Sequence, residues 1–244
     1  MRKSRGKRDV RITAVVALAL MLAAWLLLAN FVFVVRRVEV RGNEKVSAED
    51  VIRVSGLPLG KYLGQVREQD VAQRLLRDGR MQLVDLQMRL PDKIVLVVSE
   101  RKSAAMAVYA GKIVILDEEC VVMELSNSTP EQTVLYVSGL GVSAASVGSL
   151  VQAPEDQIAA VRAVLQALQT QNAMGYVSEL NVENVDMLYL YSRTGIKIIL
   201  GSEEQMERKI AWTTSALQDL ENRGETKGTL DVSSGSMADF SPDR

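Results

Sequence analysis

Charge is absent from Ile12 to Val35, a run of 24 residues in which Thr13 and Asn30 are the only polar side chains. As a helix rising 1.5 Å per residue, it reaches about 36 Å, enough to cross a hydrocarbon core of about 30 Å with some tilt. A buried core helix is usually shorter and apolar on one face, whereas this run is apolar all round. A cleavable signal sequence has an apolar segment of about 7–15 residues ahead of a small-residue cleavage site. Here the run is longer and ends in the bulky Phe31-Val32-Phe33-Val34-Val35. The pattern predicts an uncleaved membrane-spanning helix, Ile12 to Val35.

Beyond the span the periodicity changes. Val38 and Val40 alternate with Arg37, Glu39 and Arg41, a half-buried strand closed by Gly42-Asn43. Ser47 caps a short helix with Glu49 and Asp50 in its first turn, and Gly56 ends it. A second helix is predicted over Glu68 to Arg77, its apolar face formed by Val71, Ala72, Leu75 and Leu76. Val84, Leu86, Met88 and Leu90 then alternate with polar residues. After the Pro91-Asp92 turn, Ile94 to Val98 reads as a more fully buried strand. This β-α-α-β-β order is complete by Glu100-Arg101.

The rest is richer in strands, which makes the fold class α+β. Ala104 to Tyr109 and Lys112 to Asp117 form a hairpin about Ala110-Gly111, and Cys120 to Met123 is the next strand. Ser126 to Ala153 mixes Ser, Gly and Pro with two short apolar runs and is read as loop-rich. Pro154 at N1, followed by Glu155 and Asp156, opens a helix whose inner face is Ile158, Val161, Leu165 and Leu168. Strands at Glu179 to Val182, Met187 to Ser192 and Ile196 to Leu200 precede a second amphipathic helix, Glu203 to Leu220. A last strand covers Thr229 to Ser233. The pattern thus divides the chain into a basic tail (1–11), the span (12–35), a β-α-α-β-β unit (36–101), a mixed β-rich unit (102–234) and a flexible C-terminal tail (235–244).

Charge orients the span. Arg2, Lys3, Arg5, Lys7, Arg8 and Arg11 precede it against one acid, Asp9, while Arg36, Arg37 and Arg41 come after it. The positive-inside rule places the tail in the cytoplasm and the remainder outside. A basic cluster beside a span meets anionic lipid headgroups rather than nucleic acid. The net charge of −1 provides no field for a polyanion. A single cysteine, Cys120, rules out a disulfide within the chain and behaves as a small apolar residue.

Candidate chemistry is sparse. The sequence has no histidine, the commonest general base and metal ligand near neutral pH. Asp117-Glu118-Glu119 is the densest acidic group and reads as a solvated turn at a strand end. Ser233-Ser234-Gly235-Ser236 has no partner base, and Ser99-Glu100-Arg101-Lys102 reads as a charged strand end. No catalytic residue, cofactor or metal is expected. The expected activity is partner binding, since an exposed last strand can accept a strand from another chain.

Val38-Glu39-Val40-Arg41-Gly42-Asn43, then Ser47 and Gly56-Leu57-Pro58-Leu59-Gly60, resemble the start of a POTRA domain behind a membrane helix. Leu90-Pro91-Asp92-Lys93-Ile94-Val95-Leu96-Val97-Val98-Ser99-Glu100-Arg101 resembles its closing strand pair. Leu200-Gly201, Lys209 and Leu230-Asp231-Val232-Ser233 resemble the end of the second, β-rich domain of the bacterial cell-division FtsQ/DivIB family. Ser103 and Cys120 depart from the family pattern, which has proline and glycine there. The resemblance covers nearly the whole chain. It implies a non-enzymatic, single-pass scaffold at the division septum, with its N-terminus in the cytoplasm, that links and recruits septal proteins. The implied partners are FtsB/DivIC-type and FtsL-type bitopic proteins, with the septal peptidoglycan synthase complex as a further contact. By position it points to Thr229, Leu230, Asp231, Val232, Ser233 and Ser234 as the partner-binding segment, with Lys209 nearby. Two other readings compete. A POTRA chaperone for outer-membrane barrels needs a subsequent run of alternating strands with aromatic girdles, which 5% aromatic content does not supply. A membrane-tethered enzyme would retain activity in the isolated exterior part.

Overall fold

The computed structural model describes residues 5–129 and 134–243, with side chains at 12–25 and from 31 onward outside that gap. Residues 1–4 of the basic tail, and the side chains of 26–30 within the expected span, lie outside the described residues. Helix α1 (Arg5–Val32) runs through most of the uncharged stretch. Ile12, Val16, Leu18, Leu22 and Trp25 along it are all more than half exposed. Among the described residues no helix is long and apolar enough to cross a membrane.

The helix stops short of the expected Val35. Val34 bridges Tyr62, the Val35 N–H donates to the Lys61 carbonyl (3.0 Å), and Leu63 N–H donates to that of Phe33 (2.8 Å). Val35 is fully buried. Two consecutive β-branched residues favour extended backbone, and the Lys61–Leu63 segment pairs it. The end of the apolar run therefore belongs to the folded part.

The chain divides into two compact units. One holds the residues up to Leu75 together with Met81–Glu100, and the other holds Leu76–Arg80 together with Arg101–Arg244. In the first, β1 (Arg37–Arg41), α2 (Ala48–Ser55), α3 (Glu68–Asp78), β2 (Met81–Arg89) and β3 (Lys93–Glu100) come in β-α-α-β-β order. The sheet order is β1-β3-β2, with β1 parallel and β2 antiparallel to the central strand. The Ser47 hydroxyl accepts the Asp50 N–H at 3.1 Å, and Gly56 closes α2 in the left-handed region. Ile94, Leu96 and Val98 on one face of β3 pack with Val51, Val71 and Leu75 of the two helices. Gly42 succeeds β1 at φ +85°, and a Cβ there would lie 2.1 Å from the Val98 carbonyl oxygen, so only glycine fits.

β2 departs from simple alternation. A bulge between Leu83 and Asp85 shifts the register, so Met81, Leu83 and Leu86 face the core. Val84, Met88 and Leu90 are left 60%, 43% and 71% exposed on or beside an edge strand. One inserted residue reverses the facing of the residues before it, and the edge position leaves the later ones uncovered. At the far end of β3, the Glu100 carboxylate accepts backbone N–H groups from Glu44 (2.6 Å), Lys45 (2.8 Å) and Val46 (2.7 Å). It fixes the loop between β1 and α2. The strand end read as merely charged is thus a latch.

In the second unit the strands are β4 (Ala105–Tyr109), β5 (Lys112–Leu116), β6 (Val122–Ser126), β7 (Leu135–Ser138), β8 (Val177–Asn181), β9 (Leu188–Ser192), β10 (Lys197–Gly201), β11 (Gly228–Asp231) and β12 (Asp239–Pro242). Among the described residues they form one sheet in the order β12-β11-β10-β9-β8-β7-β4-β5-β6. Helices α4 (Glu155–Thr170) and α5 (Met206–Asn222) cover one face. Val161, Leu165 and Leu168 of α4 and Ile210 and Leu217 of α5 pack there with Leu180, Leu188, Leu190, Ile198 and Leu200. Complete burial of each leucine contributes about 1.5–3 kcal/mol before the entropy of ordering it. Residues at alternate positions, Tyr136, Glu179, Tyr189, Tyr191, Lys197 and Ile199, line the opposite face and are half-buried.

Four details differ from the sequence pattern. β7 (Leu135–Ser138) falls inside the segment read as loop and lies between β4 and β8, parallel to both. Cys120 is not in a strand: it stands at φ +60° in the turn before β6, fully buried. Pro154 is the N-cap rather than the first helical residue. The C-terminal segment read as a flexible tail forms β12.

Candidate docking site at the C-terminal sheet edge

β11 is short, and its residues divide between the two faces of the sheet. Leu230 points into the helix-covered core and is 1% exposed. Thr229 and Asp231 point to the open face, where they pair with Lys197 and Ile199 of the parallel β10. Val232 is fully buried, and its N–H donates to the Ile199 carbonyl at 3.0 Å. Asp231 accepts the Ser233 N–H at 2.9 Å, and Ser234 Oγ accepts the Ser236 N–H at 3.3 Å, so the chain turns back at once. That turn lies against the β10–α5 connection: a Cβ on Gly201 would stand 3.1 Å from Ser233 Cβ.

Lys209 belongs to this end of the sheet but not to its surface. It is 3% exposed, and its Nζ donates to the Ser202 carbonyl at 2.8 Å, just after β10. Burial lowers its pKa, partly offset by Glu204. Neither a free docking cation nor a solvated helix charge describes it. It ties the start of α5 to the end of β10, with its stem packed inside.

The residues the sequence pattern missed lie beyond Gly235. β12 pairs antiparallel with β11 in the register Thr229↔Ser241, Leu230↔Phe240 and Asp231↔Asp239. Phe240, half-buried, packs against the core on the helix side, its ring 2.7 Å from where a Cβ on Gly228 would stand. The same absent Cβ would lie 2.6 Å from the Ser241 carbonyl oxygen, so that oxygen is directed at β11. Backbone groups alternate in direction along an antiparallel strand, so those of Phe240 face outward. The signal available was one aromatic between two polar residues after a Ser-Gly-Ser turn, too short to register as a period.

The two ends of the sheet are not equivalent. At β6, the Val122 N–H donates to Ser149 and its carbonyl accepts from Gly148, while Val121 bridges Leu150. That edge is partly covered by its own chain. β12 has no strand or backbone hydrogen bond on its outer side among the described residues. The unsatisfied row of N–H and C=O groups is what strand addition requires.

The acidic run near β6 has a structural role. Asp117 is 4% exposed, ion-pairs with the equally buried Arg101 and accepts N–H groups from Glu119 (3.0 Å) and Val121 (2.7 Å). Its carboxylate is turned inward to hold the loop. Among the described residues no three His, Cys, Asp or Glu side chains come together as a metal site.

Comparison with known proteins agrees with this architecture. Residues 33–101 match the POTRA domain of FtsQ type. The cell division protein DivIB of Clostridium botulinum (strain Loch Maree) is 20% identical over 232 residues, 95% of this chain and 90% of that protein. The FtsQ of Streptomyces bingchenggensis is 32% identical over 108 residues, 44% of this chain and 41% of its own length. The major extracytoplasmic domain of DivIB from Geobacillus stearothermophilus superposes with a TM-score of 0.34 at 16% identity over 51% of this chain and 97% of that one. That match is too loose to add to the sequence relationship. Residues 33–101 thus form a POTRA domain of FtsQ type, in a chain similar to the cell division protein DivIB over nearly its full length.

Proposed function

We propose that this chain is a non-enzymatic connector of the division machinery that holds two sheet-bearing units outside the membrane. α1 serves as a single-pass anchor with its N-terminus in the cytoplasm. The support is the 24-residue uncharged run and the exposed apolar side chains along α1. Protease added to intact spheroplasts should degrade the part beyond residue 36 and spare an N-terminal epitope tag. Loss of the tag would reverse the orientation.

Recognition takes place by strand addition on β12, and the observation that carries this reading is its uncovered outer edge, in contrast to the partly covered β6 at the opposite end of the sheet. Similarity to DivIB and FtsQ supports the extracytoplasmic segments of FtsB/DivIC-type and FtsL-type division proteins as partners, with recruitment to the septum and its synthase complex as the proposed consequence. The β2 edge of the POTRA unit, with Val84 and Met88 exposed, is a second surface of the same kind.

The outward backbone of Phe240 provides the test. Phe240→Pro removes an outward donor, whereas Phe240→Leu keeps it together with an apolar body over Gly228. Capture of a DivIC-type partner by the full-length chain should fall at least tenfold in the first variant and little in the second. Equal capture by both, with each folded by circular dichroism, rejects strand addition at β12. Val232→Pro is the poorer test, because its N–H is already bonded to Ile199 inside the sheet.

A further inference from the structure

The outermost row of the sheet's open face is Ile199, Asp231 and Asp239, read across β10, β11 and β12. Two carboxylates therefore stand directly opposite one another, an arrangement that destabilises a strand pair. Both are exposed, and among the described residues neither takes part in an ion pair. Lys197, opposite Thr229 on this face, is engaged elsewhere, its Nζ 4.3 Å from the centre of the Tyr189 ring on β9. On the other face, Phe240 leaves part of its ring uncovered at the edge.

We infer that the strand docking on β12 carries a lysine or arginine opposite Asp239, next to an apolar residue that covers Phe240. This rests on the strand-addition reading and adds the chemistry of the partner. Successive residues of an added strand face opposite sides of the sheet. A basic residue on the open face would relieve the Asp231–Asp239 opposition, and its neighbour would extend the apolar contact on the helix side. The same geometry disfavours a second copy of this chain as occupant. Pairing β12 with β12 would bring another Asp239 and Asp243 to the edge and add like charge.

The palindromic peptide Thr-Leu-Lys-Leu-Thr, acetylated, amidated and labelled, presents the same pattern in either strand direction, and Thr-Leu-Glu-Leu-Thr is its charge-reversed control. With the full-length chain in nanodiscs at low salt, fluorescence anisotropy should show the lysine peptide binding about fivefold tighter than the glutamate peptide. The ratio should collapse in Asp239→Asn and invert in Asp239→Lys, and hydrogen exchange should slow at residues 239–241. Equal binding of the two peptides with residues 239–241 still protected overturns the charge inference and leaves the edge reading intact. No protection of 239–241 by either peptide overturns both.

Discussion

Cys120 combines two features that rarely coincide, a left-handed backbone at φ +60° and complete burial. A positive φ is the conformation that favours glycine, and here a cysteine adopts it. Burial pushes the thiol up to about 11, with Asp117 adding to the rise and Arg162 opposing it. A thiol raised above its unfolded value of 9.0 contributes stability that is complete below pH 9 and is lost as pH climbs toward 11. In urea unfolding of the second unit followed by Trp212 fluorescence, wild type should lose about 2 kcal/mol more than Cys120→Ala between pH 8 and 10.5. Parallel curves would show that the thiol is not held protonated by the fold. At this scale the sequence pattern was legible for apolar residues and blind for charged ones. Val71, Leu165 and Leu168 were readable as core from spacing alone. Asp117 and Arg101 were not, because each is buried against a partner in another segment, and Lys209 was not, because it is held by a backbone carbonyl that no pattern marks.

Elements were legible where a period had room to repeat. The inner face of α4 is the one its spacing predicts, and the hairpin of β4 and β5 turns at Ala110-Gly111. β7 and β12, four residues each, have no room for a period and take their place from neighbours already formed. The β2 bulge was hidden for a related reason: Val84, Leu86 and Met88 alternate in sequence, but the partner strand decides which residue is skipped. The Glu100 latch belongs to this scale because one side chain sets the path of a loop. Burial raises its pKa, but the N–H donors of Val46, Lys45 and Glu44 outweigh that and hold the carboxyl below its ordinary value. Its contribution is therefore present above the usual carboxylate range and fades as pH falls through it. Glu100→Gln at neutral pH should speed amide exchange at residues 44–46 by roughly 5-fold to 10-fold. Unchanged exchange would mean that the loop holds itself.

For the whole molecule, a net charge of −1 leaves no long-range field to steer partners, so recognition rests on local edges. The two units offer such edges by different means: β2 through a bulge that turns Val84 outward and an edge position that leaves Met88 uncovered, β12 through an uncovered backbone and a pair of opposed carboxylates. On the proposed reading, similarity to DivIB and FtsQ points to the cellular setting, and the open β12 edge is the means of contact. The proposed docking strand is β12 rather than Thr229 to Ser234, because β12 pairs on the outer side of β11. The most direct measurement is amide hydrogen exchange of the full-length chain in nanodiscs, with and without the extracytoplasmic segment of a DivIC-type protein as the proposed partner. Docking on β12 predicts slowed exchange centred on Asp239–Ser241, with β6 unchanged. Protection that spares 239–241 and gathers at β6 or on α4 and α5 would contradict it.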